Sequence, residues 1–242
     1  MVTISQAEEP YFSVGPFYHR HTATVIWFHD LGDTGQGMRV AAKSLSLHPL
    51  LGHVKIIAVL PSVFNCLPYY IDNQSEDEEE LFRAVGWINE IIQAERKAGI
   101  PPNRIIVGGL SQGGLLAILT GLTTPEPLAG VFLLSSYVPP LRQIVQDVAT
   151  KLAEPLPLFW GHGKRDGQVK YEFALASAKQ LASDLGVWFR LKEKAQTRED
   201  LEKNGIDGLR FHSYPSLGHQ IAPEELDDLA VWAVYLLPDI KV

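Results

Sequence analysis

Residues 104–119 read RIIVGGLSQGGLLAIL, an apolar run that meets a serine set among glycines and then turns apolar again. Glycine loses more backbone freedom on folding than any other residue. Gly108, Gly109, Gly113 and Gly114 crowded around Ser111 and Gln112 therefore ask for a geometric reason. RIIVGG has the length and β-branched content of a buried strand, and GLLAILTGL reads as a helix. Gly109-Leu110-Ser111-Gln112-Gly113 then fits G-x-S-x-G at a strand-to-helix turn. Such a turn strains the serine backbone, leaves no room for neighbouring side chains and lifts Oγ above the sheet edge. It also puts the Gln112 N–H at a helix N-terminus, where it can donate to a developing oxyanion. A phosphate loop would need Gly-Lys-Ser/Thr, which GLSQGGLL lacks.

The same strand grammar recurs along the chain. ATVIWFH (23–29), VKIIAVLP (54–61), AGVFLLSS (129–136) and PLPLFWGHG (155–163) are short apolar runs ending in Gly, Ser or Pro or leading into a glycine-rich turn. They read as strands buried on both faces. GLRFHSYP (208–215) is a late strand. Helical patterns separate these runs at 75–99, 171–186 and 223–238. The first opens on Ser75 and a block of acids and stops at Gly99 before Pro101, which suits a helix dipole and its termination. The expected class is α/β, with a mostly parallel central sheet flanked by helices on both faces. Residues 1–242 are expected to form a single domain, with the polar stretch KEKAQTREDLEKNG (192–205) as a surface insertion.

Whole-chain properties narrow the function. The chain of 242 residues carries a formal net charge of -7 with mixed signs. That argues against nucleic acid or an anionic membrane as a main partner. With one cysteine, Cys66, no intrachain disulfide can form. The N-terminus lacks a basic and an apolar region of a secretory signal, and no run reaches the ~20 apolar residues of a membrane helix. A cytoplasmic protein without stable membrane insertion is expected.

A serine hydroxyl needs a base, and the base needs an acid. His162, His212 and His219 are the histidines downstream of Ser111. His212 alternates within a strand, and His162 sits inside WGHG, which suits a structural role. His219, in PSLGHQIAPEEL, lies between a strand and a helix start, where open α/β sheets build their sites. Asp166, in GHGKRDGQV, is the acid at a strand end; Asp184, Asp207, Asp227 and Asp228 fall in helical or polar surface contexts. The catalytic candidates are thus Ser111, Asp166 and His219, with no cofactor and no metal. WFHDLGDTGQG (27–37) ends the first strand, where a hydrolase sheet places its second oxyanion donor. Its glycines run G-x-x-G-x-G, not the G-x-G-x-x-G of a dinucleotide loop.

HDLGDTGQG, PPNRIIVGGLSQGG, LAGVFLLSSYVP, GHGKRDGQV and YPSLGH occur in that order. Together they resemble the acyl-protein thioesterase / lysophospholipase–carboxylesterase family of α/β-hydrolases, from about His21 to Pro238. The resemblance implies the α/β-hydrolase fold and cofactor-free hydrolysis of acyl esters or thioesters. It places nucleophile, acid and base on Ser111, Asp166 and His219, and the oxyanion donors on the N–H groups of Leu31 and Gln112. It implies substrates that include S-acylated proteins, lysolipids and small esters.

Four features depart from the family pattern. Asp30 stands where the family has Gly, Gly167 stands where the family's Asp-Pro-x-Val has Pro, and Gln220 follows the histidine where Ser is common. The segment 61–75 is shorter and lacks a Trp-Phe-Asp motif. Phe64, Leu67, Tyr69, Tyr70 and Ile71 are the candidates for an altered acyl wall, and an exposed Trp or Tyr cluster near the mouth is a candidate homodimer contact. Asp30 and the remodelled wall keep one alternative open, a catalytically weakened fold acting as a ligand-binding or sensor module.

Overall fold

The computed structural model describes residues 11–17, 20–29, 36–59, 78–139, 156–193 and 195–240. Six of the apolar runs become β2 (Ala23–Phe28), β3 (Val54–Val59), β4 (Ile105–Leu110), β5 (Gly130–Leu134), β6 (Leu158–Gly163) and β8 (Leu209–Tyr214). Two four-residue strands, β1 (Tyr11–Val14) and β7 (Phe189–Lys192), close the sheet edges in the order β1-β3-β2-β4-β5-β6-β8-β7. Only the β1–β3 pairing is antiparallel. Neither edge strand is legible in the sequence: YFSV and FRLK are half-exposed, so they carry no continuous apolar run.

The central strands are buried over all their residues but Leu110 at the end of β4, because helices cover both faces. Alternate residues split between two cores. Ile26, Phe28, Val107, Leu133, Trp160 and Phe211 pack against α2 (Glu78–Lys97), α3 (Gln112–Thr123) and α4 (Tyr171–Leu185). Val25, Trp27, Ile106, Phe132 and Phe159 pack against α1 (Gln36–Ser46) and α6 (Pro223–Leu236). Two-sided burial is why these runs are apolar at every position rather than every second one. Helix α3 is buried along all but its last residue, which explains its apolar sequence on every face. Helix α2 is fastened to the sheet by the buried Glu95, which accepts the Thr24 hydroxyl at 2.6 Å and pairs with Lys55.

Within the polar segment 192–205 lies α5 (Arg198–Asn204), capped by Thr197, whose hydroxyl accepts from the Asp200 N–H at 3.1 Å. Its outer side carries the Arg198–Glu202 pair, but Leu201 and Gln196 are buried, and α5 packs on α6. Asp228, which the sequence places in a helical or polar surface context, lies on α6 and is buried. It accepts from the Gln196 N–H at 2.5 Å and from the Tyr214 hydroxyl at 2.9 Å. Its pattern position on α6 cannot show that a second layer of chain covers it.

Candidate active site

Ser111 joins β4 to α3 at φ 53 and ψ −117, a left-handed conformation that a non-glycine residue adopts at a cost. Surrounding bonds over-determine it. Its N–H donates to Leu134 O at 2.8 Å, and its carbonyl accepts the Gly114 N–H at 3.0 Å and the Ser136 hydroxyl at 2.7 Å. The glycines answer to close approach. A Cβ on Gly113 would fall 2.6 Å from the carbonyl oxygens of Phe28 and His29, and one on Gly109 would fall 2.2 Å from the Gly113 backbone. The turn therefore folds tightly enough to aim the serine off the sheet only if both positions lack side chains. Ser111 is fully buried, and its Oγ makes no hydrogen bond among the described residues.

Because these strands are parallel, the residues that follow β4, β6 and β8 share one sheet edge. Asp166 follows β6, and His219 lies in the loop from β8 to α6. The His219 Nδ1 lies 2.8 Å from Asp166 Oδ2, a hydrogen-bonded pair. Asp166 Oδ1 accepts the backbone N–H groups of Gln168 and Val169, both at 2.9 Å. Burial pushes the Asp166 carboxyl up, but the hydrogen bonds from His219, Val169 and Gln168 outweigh that and hold it below the ordinary carboxylate value. An anionic Asp166 can fix the imidazole tautomer and balance an imidazolium.

Gln112 is the first residue of α3, where backbone N–H groups point out of the helix end and favour negative charge. Leu31, the other sequence-derived oxyanion donor, lies outside the described residues, as do Asp30 and the wall candidates Phe64, Leu67, Tyr69, Tyr70 and Ile71. His212 points to the α6 face of β8, with its ring stacked on Phe159 at 4.5 Å. His162 is buried on β6, and its Nε2 lies 2.9 Å from Val169 O and 3.5 Å from Asp166 Oδ2. Sequence reasoning did not find Ser136. Its signal is the serine pair that ends β5, but only the fold brings residue 136 beside residue 111.

The phospholipase/carboxylesterase family matches residues 10–235 of this chain. The chain belongs to that family. Among similar proteins of the family are two acyl-protein thioesterases 1. That of Cryptococcus neoformans var. neoformans serotype D is 37% identical over 231 residues, covering 90% of this chain and 93% of the relative. That of Mycosarcoma maydis is 34% identical over 239 residues, covering 90% and 92%. The crystal structure of Arabidopsis thaliana SOBER1 superposes with a TM-score of 0.68 at 26% identity, covering 89% of this chain and 99% of that one. The fold is that of the α/β-hydrolases, and the chain is a serine hydrolase acting on acyl esters or thioesters.

Proposed function

We propose that Ser111 is the nucleophile, His219 the general base and Asp166 the acid that orients it, within one hydrolase domain that works in the cytoplasm. The observation that carries this reading is the strained Ser111 on the same sheet edge as the 2.8 Å His219–Asp166 pair. Ser111 Oγ attacks the acyl carbonyl carbon while its proton passes to His219 Nε2. Asp166 Oδ2 balances the imidazolium through Nδ1–H. The Gln112 N–H, with that of Leu31, holds the tetrahedral oxyanion. His219 then protonates the departing thiol or alcohol, leaving an acyl-serine. Water, deprotonated by His219, attacks this ester, and its collapse releases the carboxylic acid and restores Ser111.

The substrate we propose is an S-acylated protein, the class named by the similar proteins from Cryptococcus neoformans and Mycosarcoma maydis. Hydrolysis of p-nitrophenyl esters from acetate to palmitate, beside deacylation of an S-palmitoylated peptide, tests both parts. Ser111→Ala is expected to lower kcat on the order of 10⁴-fold or more on every substrate. Full activity in that variant would overturn the assignment. An acetate optimum with no turnover of the palmitoylated peptide would overturn the substrate alone.

A further inference from the structure

Behind Asp166, toward the interior of the sheet, stands a histidine that the hydrolytic relay leaves unused. His162 is fully buried, its ring near-parallel to that of Phe211 on β8 (centroids 6.2 Å apart, 19°) and 6.3 Å from that of Tyr171 on α4. Its Nε2 lies 2.9 Å from Val169 O, and its Nδ1 has no partner among the described residues. A carbonyl oxygen accepts only from a donor, so Nε2 carries the hydrogen and Nδ1 is the lone-pair nitrogen. Burial outweighs the bond to Val169 and the nearness of Asp166, holding the ring below the ordinary histidine value and therefore neutral. Among the described residues, the titratable groups that face it are Asp166 on the loop that follows β6, His219 on the β8–α6 loop and Tyr171 on α4.

These bonds close a circuit around the acid. Val169 donates its N–H to Asp166 Oδ1 and accepts the His162 Nε2–H on its carbonyl. The same Nε2 atom lies 3.5 Å from Asp166 Oδ2, the oxygen that His219 uses. Gly167 stands inside this turn with open space where a Cβ would be, so no side chain braces the turn at that point. Its orientation therefore depends on the hydrogen bonds.

We infer that His162 is a positioning residue for the hydrolysis: its Nε2–H, anchored on Val169 O, holds the Asp166 turn so that Oδ2 faces His219. This rests on the assignment of Asp166 and His219 given above. His162 itself neither touches substrate nor takes a proton.

Three variants separate positioning from packing. His162→Phe keeps the ring stack and removes the donor. His162→Gln sets an amide donor near the Nε2 site. His162→Asn sets one near Nδ1 and serves as the donor-less arm where the Phe variant does not accumulate. Rates are normalised to Ser111 titrated with a fluorophosphonate. The Phe and Asn variants are expected to lose kcat on the order of 10²-fold with KM changed by less than about two-fold, while Gln recovers most of the rate. The acidic limb of kcat/KM moves in the Phe and Asn variants and stays in Gln. The low-field proton resonance of His219 Nδ1–H is sharp in wild type and Gln and broadened by exchange in Phe and Asn.

Wild-type kcat and an unchanged resonance in the Phe or Asn variant would overturn the inference. So would a Gln variant as impaired as the Phe variant, since ring volume and not the donor would then be responsible. A wild-type chain with no Ser111-dependent turnover would overturn the hydrolytic assignment instead, and the resonance would still decide the role of His162.

Discussion

Two Asp–His pairs flank β8, built from the same residue types and put to different ends. In the pair at the strand's C-terminal edge, His219 Nδ1 meets Asp166 Oδ2 at 2.8 Å. In the pair on the α6 face, His212 Nδ1 stands 3.5 Å from Asp228 Oδ2, with the ring stacked on Phe159. Both carboxylates are held below their ordinary value, although burial pushes each of them up. The difference lies in what else claims the oxygens. Backbone amides take Asp166 Oδ1 and leave Oδ2 to its histidine. Asp228 is consumed by Gln196 and Tyr214, and so it ties α5, α6 and β8 together. Burial holds His212 below its ordinary pKa and keeps it neutral, sealed under α6. Under the proposed assignment, an Asp–His pair serves chemistry where the far side of the imidazole faces a reacting group, whereas a buried acid such as Asp228 serves as a fastening.

The strongest way to break this comparison is to remove each acid in turn. Asp166→Asn is expected to lower kcat about 10⁴-fold, read on a p-nitrophenyl ester, because the amide favours the wrong imidazole tautomer. A loss below tenfold would put the acid elsewhere.

Asp228→Ala is expected to act on stability instead. It strands a buried tyrosine hydroxyl and a buried amide, and urea unfolding should show a loss of roughly 2–4 kcal/mol. Turnover per titrated Ser111 should stay within about two-fold of wild type, since the hydrogen bonds described for the two acids involve different residues. A large kcat loss at unchanged stability would erase the distinction between the pairs.

A finer test uses Glu225, which sits on α6 against Gly161 of β6, completely buried. Burial, its largest influence, pushes its carboxyl up to about 8. Below the ordinary glutamate range, both folded and unfolded chains hold the proton and Glu225 contributes no pH dependence. As the pH rises toward 8, the unfolded chain releases the proton first, so stability falls with rising pH. The buried histidines act with the opposite sign: His162 and His212, both lowered by burial, cost stability as the pH falls below about 6.5. Glu225→Gln isolates the acid. Its advantage in Tm over wild type should grow by roughly 5 °C or more between pH 5 and 8. A difference that stays flat across that range would mean that Glu225 is not the buried neutral acid on α6.

Much of the candidate site is legible in the sequence because the physics there is local. A serine between glycines at a strand-to-helix switch declares a turn that admits no Cβ, and contact of Gly113 with the Phe28 and His29 carbonyls is the three-dimensional form of that statement. Asp166 and His219 are legible for a related reason: each follows a strand, and parallel strands deliver their ends to one edge. The edge strands β1 and β7 are hidden because half-exposed four-residue runs carry no periodic signal. The burial of Asp228 is hidden because its position on α6 gives no sign that Gln196 and α5 fold over it.

The sequence by itself determined the alternation of strands and helices and the serine turn, and it offered Ser111, Asp166 and His219 as the candidates at strand ends, since each of these readings depends on neighbours a few residues away. Only the tertiary structure decided which aspartate meets which histidine. Asp166 and His219 are 53 residues apart, and Ser136 reaches back 25 residues to hold the Ser111 carbonyl. Contacts of that reach are fixed by the stacking of β4, β5, β6 and β8 and by the helices that bury them, and no local pattern encodes them.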